Sequence, residues 1–173
     1  IHIPFCVKKC AYCDFLSGPA GEKEKEEYVK MLVDEIRNCP DAVQNYRVVS
    51  IFFGGGTPSL LTGEQIGRLM DTVREIFTLD EDAEITMEMN PGTVTEEKLR
   101  RYRQAGVNRL SIGLQSVNDE ELRLLGRIHT YEEFLEAYHL ARANGFSNIN
   151  VDLISAIPGQ TVESWRRTLK QVM

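Results

Sequence analysis

Five short β-rich runs, each followed by a stretch of helical period, leave this chain few ways to fold. The runs are Ile1 to Phe5, Val48 to Phe53, Ala83 to Met89, Arg109 to Leu114 and Asn148 to Ile154. The helical stretches are Glu22 to Asn38, Gly63 to Phe77, Thr95 to Ala105, Tyr131 to Asn144 and Val162 to Met173. Val48-Val49-Ser50-Ile51-Phe52-Phe53 is apolar on both faces, which predicts parallel strands covered by helices. Right-handed crossovers then leave two options, a doubly wound sheet or a (βα) barrel. Thr95 and Thr130 each precede an acidic first turn, as N-caps do, and Gly106 and Gly145 stand just past the last periodic residue, as left-handed C-caps do. The charged run from Glu22 to Glu27 reads as a solvated first helical turn.

At ~150 residues per domain, 173 residues make about one domain. The chain begins at Ile1 inside the first run and stops at Met173 inside an amphipathic stretch, so residues 1–173 read as one core domain cut from a longer protein. A net charge of -6 argues against a general phosphate-backbone binder, so no nucleic acid partner is expected. No run reaches the ~18 apolar residues of a membrane-spanning helix, so no transmembrane segment is expected, and peripheral membrane contact stays open.

Three of the four cysteines fall in a C-x3-C-x2-C run, Cys6, Cys10 and Cys13, with Cys39 far off at the end of a predicted helix. Such bunching does not suit the spread, even set of a disulfide framework. Zinc asks for four tetrahedral ligands, and His2 would have to complete a Cys3His set. An iron-sulfur cubane is the other reading, held by thiolates on a short loop. Three cysteines would leave one iron without a protein thiolate, free to bind a substrate or cofactor, unless Cys39 supplies the fourth. On the residues alone, zinc and the four-cysteine cluster stay open.

Polar or glycine-rich clusters follow every β-rich run: the cysteine loop, Gly54-Gly55-Gly56-Thr57-Pro58-Ser59, Glu88-Met89-Asn90-Pro91-Gly92, Gly113-Leu114-Gln115-Ser116, and Asp152 with Ala156-Ile157-Pro158-Gly159. In a parallel α/β fold these positions share the carboxyl ends of the strands, where ligands bind. The glycine triplet is neither a P-loop nor a dinucleotide fingerprint, and points to bare backbone close to a ligand. Alternation turns Glu88 away from Ile85 and Met87, toward a cavity or solvent. Asp152 is a lone carboxylate in an apolar run and needs a partner. Arg127, in Leu125-Gly126-Arg127-Ile128-His129, suits a carboxylate or a surface. His2, His129 and His139 read as structural.

Together these residues resemble the radical S-adenosylmethionine (SAM) enzymes. More narrowly, His2-Ile3-Pro4-Phe5-Cys6, Phe53 to Ser59, Glu88 to Pro91, Gly113 to Ser116 and Asn150 to Ile154 look like the oxygen-independent coproporphyrinogen III oxidase family, from end to end of the chain. The resemblance implies an α/β fold, a partial (βα)6 TIM-like barrel truncated after about five βα units. It implies that Cys6, Cys10 and Cys13 hold a 4Fe-4S cluster whose fourth iron SAM chelates. Gly55, Gly56, Thr57 and Glu88 would contact the methionine end of SAM, Arg127 a charged end, and Tyr12 (by its backbone), Gln115 and Asp152 the remainder. One electron from the cluster would cleave SAM to methionine and a 5'-deoxyadenosyl radical, the cofactor doing the hard chemistry.

One departure sharpens this. The oxidases carry a further Cys two positions after the third cluster ligand, where this chain has Phe15. A Phe there, after Asp14, is similar to the HemW branch of haem chaperones, which keep the cluster and SAM site, bind haem and pass it on. The expectation is therefore a HemW-type chaperone in haem delivery, with haem or porphyrin as cargo and oxidative decarboxylation of coproporphyrinogen as the alternative. An electron donor such as flavodoxin or ferredoxin, a haem-acceptor protein and a cytoplasmic location complete it.

Overall fold

The computed structural model of the chain describes residues 1–39 and 46–173. Its elements are β1 (His2–Ile3), α1 (Glu22–Arg37), β2 (Arg47–Gly55), α2 (Gly63–Ile76), β3 (Thr78–Met89), α3 (Glu96–Ala105), β4 (Arg109–Gln115), α4 (Asp119–Leu124), α5 (Tyr131–Ala143), β5 (Asn148–Leu153) and α6 (Val162–Val172), with a 3-10 turn at Pro58–Leu60. The strands form one parallel five-stranded sheet in the order β1-β2-β3-β4-β5. A doubly wound sheet reverses its order at a switch point, whereas here each crossover advances to the next strand. The architecture is a partial barrel, with its helices on one side.

That winding divides the strands by parity. Ile51, Phe53, Ile85, Met87, Met89, Leu110, Ile112 and Leu114 are buried in one core with Ile66, Leu69 and Met70 of α2, Leu99 and Tyr102 of α3, and Phe134 of α5. Each such side chain contributes roughly 1.5–3 kcal/mol by leaving water. The alternate residues line the concave face, which no helix among the described residues covers. Phe52 is 48% exposed, and Val49, at a register shift between Val48 and Ser50, is 65% exposed. Of the two options the sequence left, a doubly wound sheet and a (βα) barrel, the barrel is the one found: successive crossovers in one direction put the described helices on the convex side. Polar groups occupy the concave face instead. Arg109 donates to Thr86 Oγ1 at 3.2 Å and sits 3.8 Å from Glu84.

Local signals explain most boundaries. The side chains of Thr95 and Thr130 accept from the N–H groups of Lys98 and Glu133, and Gly106 ends α3 at φ 105. β1 is shorter than expected because Pro4 has no N–H to continue the ladder, and a bridge between Phe5 and Gly18 takes over. β3 starts earlier, at Thr78, because Thr78 and Leu79 pair with Arg47 and Val48 despite the acidic residues that follow. α4 was not expected, since 6 residues are too few to show a helical period; Asn118 caps it by accepting from the Glu120 N–H at 2.9 Å. The Glu22 to Glu27 run is not simply solvated: Lys25 is buried against Glu22, and Glu26 clasps Arg68 of α2.

Candidate functional site

At the carboxyl ends of the strands the loops meet around a half-open cavity of about 180 Å³. Every residue expected from the sequence to hold the cluster or SAM lines it: Cys6, Cys10, Tyr12, Cys13, Gly55, Gly56, Thr57, Glu88, Gln115, Arg127 and Asp152. The parallel sheet is what brings them together, because each follows, or ends, a strand pointing the same way.

The cysteine loop is tied at its base and its tip. Cys6 N–H donates to Gly18 O at 2.9 Å and Gly18 N–H to Pro4 O at 3.0 Å, while Ala11 N–H reaches Leu125 O, at the end of α4, at 2.9 Å. All three loop cysteines are free and half-buried. Cys39 is also free and half-buried but does not line the cavity. Among the described residues, no group of three or more His, Cys, Asp or Glu side chains is drawn together closely enough to hold a metal ion. His2 turns its Nε2 to Leu16 O at 3.1 Å, so the Cys3His zinc reading lacks its fourth ligand.

The glycine triplet has a precise local reason. Gly54 N–H donates to Ile1 O (3.1 Å), Gly55 N–H to Glu88 Oε2 (3.0 Å), Gly56 N–H to Ile3 O (2.8 Å) and Thr57 N–H to Phe5 O (2.6 Å). A Cβ on Gly55 would lie 2.3 Å from the His2 ring, with the backbone already at φ 112, and one on Gly56 2.6 Å from Phe5 O. Glycine lets this turn pack against β1 and the cysteine loop. With its N–H groups engaged, the turn has carbonyl oxygens, not donors, to offer a ligand.

The carboxylates of the cavity are held from behind. Burial pushes the Glu88 carboxyl above its ordinary value, the Asp152 charge adds to this, and the Gly55 N–H and His2 oppose it. Asp152 has the partners its position requires: Ser111 Oγ donates to Oδ2 at 3.0 Å and Asn150 Nδ2 to Oδ1 at 2.7 Å. Asn150 also donates to Ser111 Oγ at 2.9 Å, closing a triangle on adjacent strands. Gln115 is buried and adopts φ 73, where the register between β4 and β5 shifts. A non-glycine residue held there is strained, and a bulge of this kind re-aims a side chain toward a site.

Arg127 reaches furthest into the site. Its Nη2 donates to Asn90 Oδ1 and to Gly113 O, both at 2.6 Å, and its Nη1 lies 3.5 Å from Tyr12 Oη and 3.8 Å from Cys10 Sγ. Burial raises the Tyr12 hydroxyl above its usual value, and Arg127 opposes that shift. Asn90 Nδ2 donates to Thr57 Oγ1 at 2.8 Å, and that hydroxyl lies 3.6 Å from Cys6 Sγ. Free thiols on one loop, facing one cavity and met by two polar donors, fit a thiolate-held iron-sulfur cluster. The roles of Asn90, Ser111 and Gly113 in the cavity escaped the sequence reading, although two of them stood in quoted motifs; only strand register shows which side chains they meet.

Comparison with known proteins agrees with this geometry. The radical SAM superfamily profile matches residues 1–172. The chain is 46% identical over 174 residues to the haem chaperone HemW of Escherichia coli strain K12, covering 100% of this chain and 46% of that protein. It is 36% identical to the mitochondrial radical S-adenosyl methionine domain-containing protein 1 of Danio rerio, covering 100% of this chain and 39% of the relative. Among solved structures, coproporphyrinogen III oxidase (HemN) from Escherichia coli, described as a radical SAM enzyme, superposes with a TM-score of 0.89 at 38% identity, over 99% of this chain and 40% of that one. The chain therefore spans less than half the length of these relatives. By its sheet, its cysteine loop and its match over nearly its whole length, the chain belongs to the radical SAM superfamily.

Proposed function

We propose that residues 1–173 are the radical SAM core of a HemW-type haem chaperone, in which Cys6, Cys10 and Cys13 ligate a 4Fe-4S cluster and the rest of the cavity holds SAM. The observation that carries this reading is Phe15, which stands on the rim of the cavity, 66% exposed, where the oxidases would have a further cysteine. Bound together, the cluster and SAM supply one-electron radical chemistry; the protein binds, orients and shields them. The carbonyl-presenting turn at Gly55, Gly56 and Thr57 and the Glu88 carboxylate suit the ammonium of the methionine end. Arg127 suits its carboxylate. Tyr12, Gln115 and Asp152 hold the remainder of the cofactor. Haem is the cargo, a flavodoxin- or ferredoxin-type protein the electron donor, and the cytoplasm the location. Among the described residues no helix is long and apolar enough to cross a membrane.

The close superposition on HemN favours a second reading, coproporphyrinogen III oxidase. One pair of measurements separates them. The full-length protein, reconstituted anaerobically, is titrated with haem and followed by its absorption spectrum, then incubated with coproporphyrinogen III, SAM and a reductant. Saturable haem binding without catalytic formation of protoporphyrinogen is expected. Turnover, or failure to bind haem, overturns the chaperone reading.

A further inference from the structure

A continuous hydrogen-bonded path joins two of the loop cysteines through Thr57, Asn90 and Arg127. Its direction follows from donor chemistry. The Arg127 guanidinium can only donate, so the Asn90 atom facing Nη2 at 2.6 Å is the amide oxygen. The amide nitrogen then faces Thr57 Oγ1 at 2.8 Å. That oxygen accepts, which leaves its single proton for Cys6 Sγ at 3.6 Å. At the far end Arg127 Nη1 lies 3.8 Å from Cys10 Sγ. The guanidinium has few other anchors: its Nε is buried without a partner among the described residues, and Nη2 has only Gly113 O besides Asn90. The Asn90 side chain is not needed for its own turn, because the backbone carbonyl already accepts from Thr93 N–H at 3.2 Å and Thr93 Oγ1 at 2.7 Å.

We infer that Asn90 is a positioning residue that sets the reduction potential of the cluster, by aiming the Thr57 hydroxyl and the Arg127 guanidinium at two of its thiolates. The inference rests on the ligation by Cys6 and Cys10 proposed above. Hydrogen bonds to thiolate sulfurs stabilise the more negative, reduced cluster and raise its potential. Without Asn90 the guanidinium loses a holding contact and the hydroxyl is free to turn its proton away from sulfur.

The test is a dithionite titration of the full-length reconstituted protein, without SAM, followed by electron paramagnetic resonance. Dithionite supplies the electron and the cluster accepts it. Asn90→Ala and Thr57→Val are expected to keep their iron and sulfide and to shift the midpoint to more negative potential. At the wild-type midpoint, the ratio of reduced to oxidised cluster should fall roughly threefold or more. Asn90→Asp should shift at least as far, because its carboxylate draws the Thr57 proton to itself, and Thr57→Ser should stay near wild type. Midpoints unchanged in all three disruptive variants, with the cluster intact, overturn the inference. Should Asn90→Ala not retain its cluster, Asn90→Asp and Thr57→Val decide by the same midpoint. A wild-type protein that assembles no 4Fe-4S cluster sinks the ligation and the inference together, whereas an intact cluster with an unmoved potential sinks the inference alone.

Discussion

A Cβ on Gly113 would lie 3.0 Å from Asn90 Oδ1 and from Gln115 Nε2, and 3.1 Å from Arg127 Nη2, so the bare backbone there is what lets three side chains meet. The cysteines, Glu88, Arg127 and Asp152 were legible in the sequence because a charge or thiol beside an apolar run is chemically conspicuous. Asn90, Ser111 and Gly113 were not, because an amide, a hydroxyl and a glycine are ordinary until their neighbours are known. His129 is a milder case. Read as structural, it is buried with neither ring nitrogen hydrogen-bonded among the described residues. Burial, and then the Arg127 charge, lower its imidazole from 6.5 to about 4. As pH falls below 6.5 the unfolded chain takes up a proton that the folded protein refuses until about 4. Stability is therefore full above that window and declines through it, by roughly 3 kcal/mol at most. Urea midpoints measured across it should show this slope in the wild type and a flatter one in His129→Phe; equal slopes would assign the effect to other groups.

Helices and strands were read with uneven success for physical reasons. Caps are encoded by one side chain and one backbone turn, so Thr95, Thr130 and Gly106 announced themselves. The short α4 did not, and β1 came out shorter than its run from Ile1 to Phe5, since the extent of each is fixed by tertiary contacts more than by its own period. Tyr102 shows how elements are locked together around the cavity. Fully buried on α3, its hydroxyl donates to Leu61 O at 2.6 Å and to Ser59 O at 3.2 Å, in the segment just after the glycine turn. Burial raises the hydroxyl well above its usual value. Tyr102→Phe removes the donor to Leu61 O, while Ser59 O keeps Lys98 Nζ at 2.8 Å, so the expected loss is about 1–3 kcal/mol in urea unfolding. A change of a few tenths would mean that water takes the place of the hydroxyl.

For the molecule as a whole, the cavity makes stability depend on what fills it. A ligand that binds only the folded protein at ~100 times its Kd adds about 2.7 kcal/mol, which for a domain of this size raises Tm by about 5 to 10 °C. If SAM binds through the iron left without a thiolate, this rise should appear in the reconstituted protein and vanish once a chelator has removed the iron. An equal rise in the stripped protein would show that SAM binds without the cluster. Alternating runs and caps determined, in the sequence alone, that the chain is parallel α/β, and the resemblance of its ordered motifs pointed to the partial barrel. The sequence also determined that its chemistry gathers at the carboxyl ends of the strands. Whether successive crossovers advance or reverse was decided only in three dimensions, and with it which sheet face stays open. So was the path from Cys6 through Asn90 to Cys10, because a hydrogen bond between residues distant in sequence depends on strand register, and no local pattern encodes that distance.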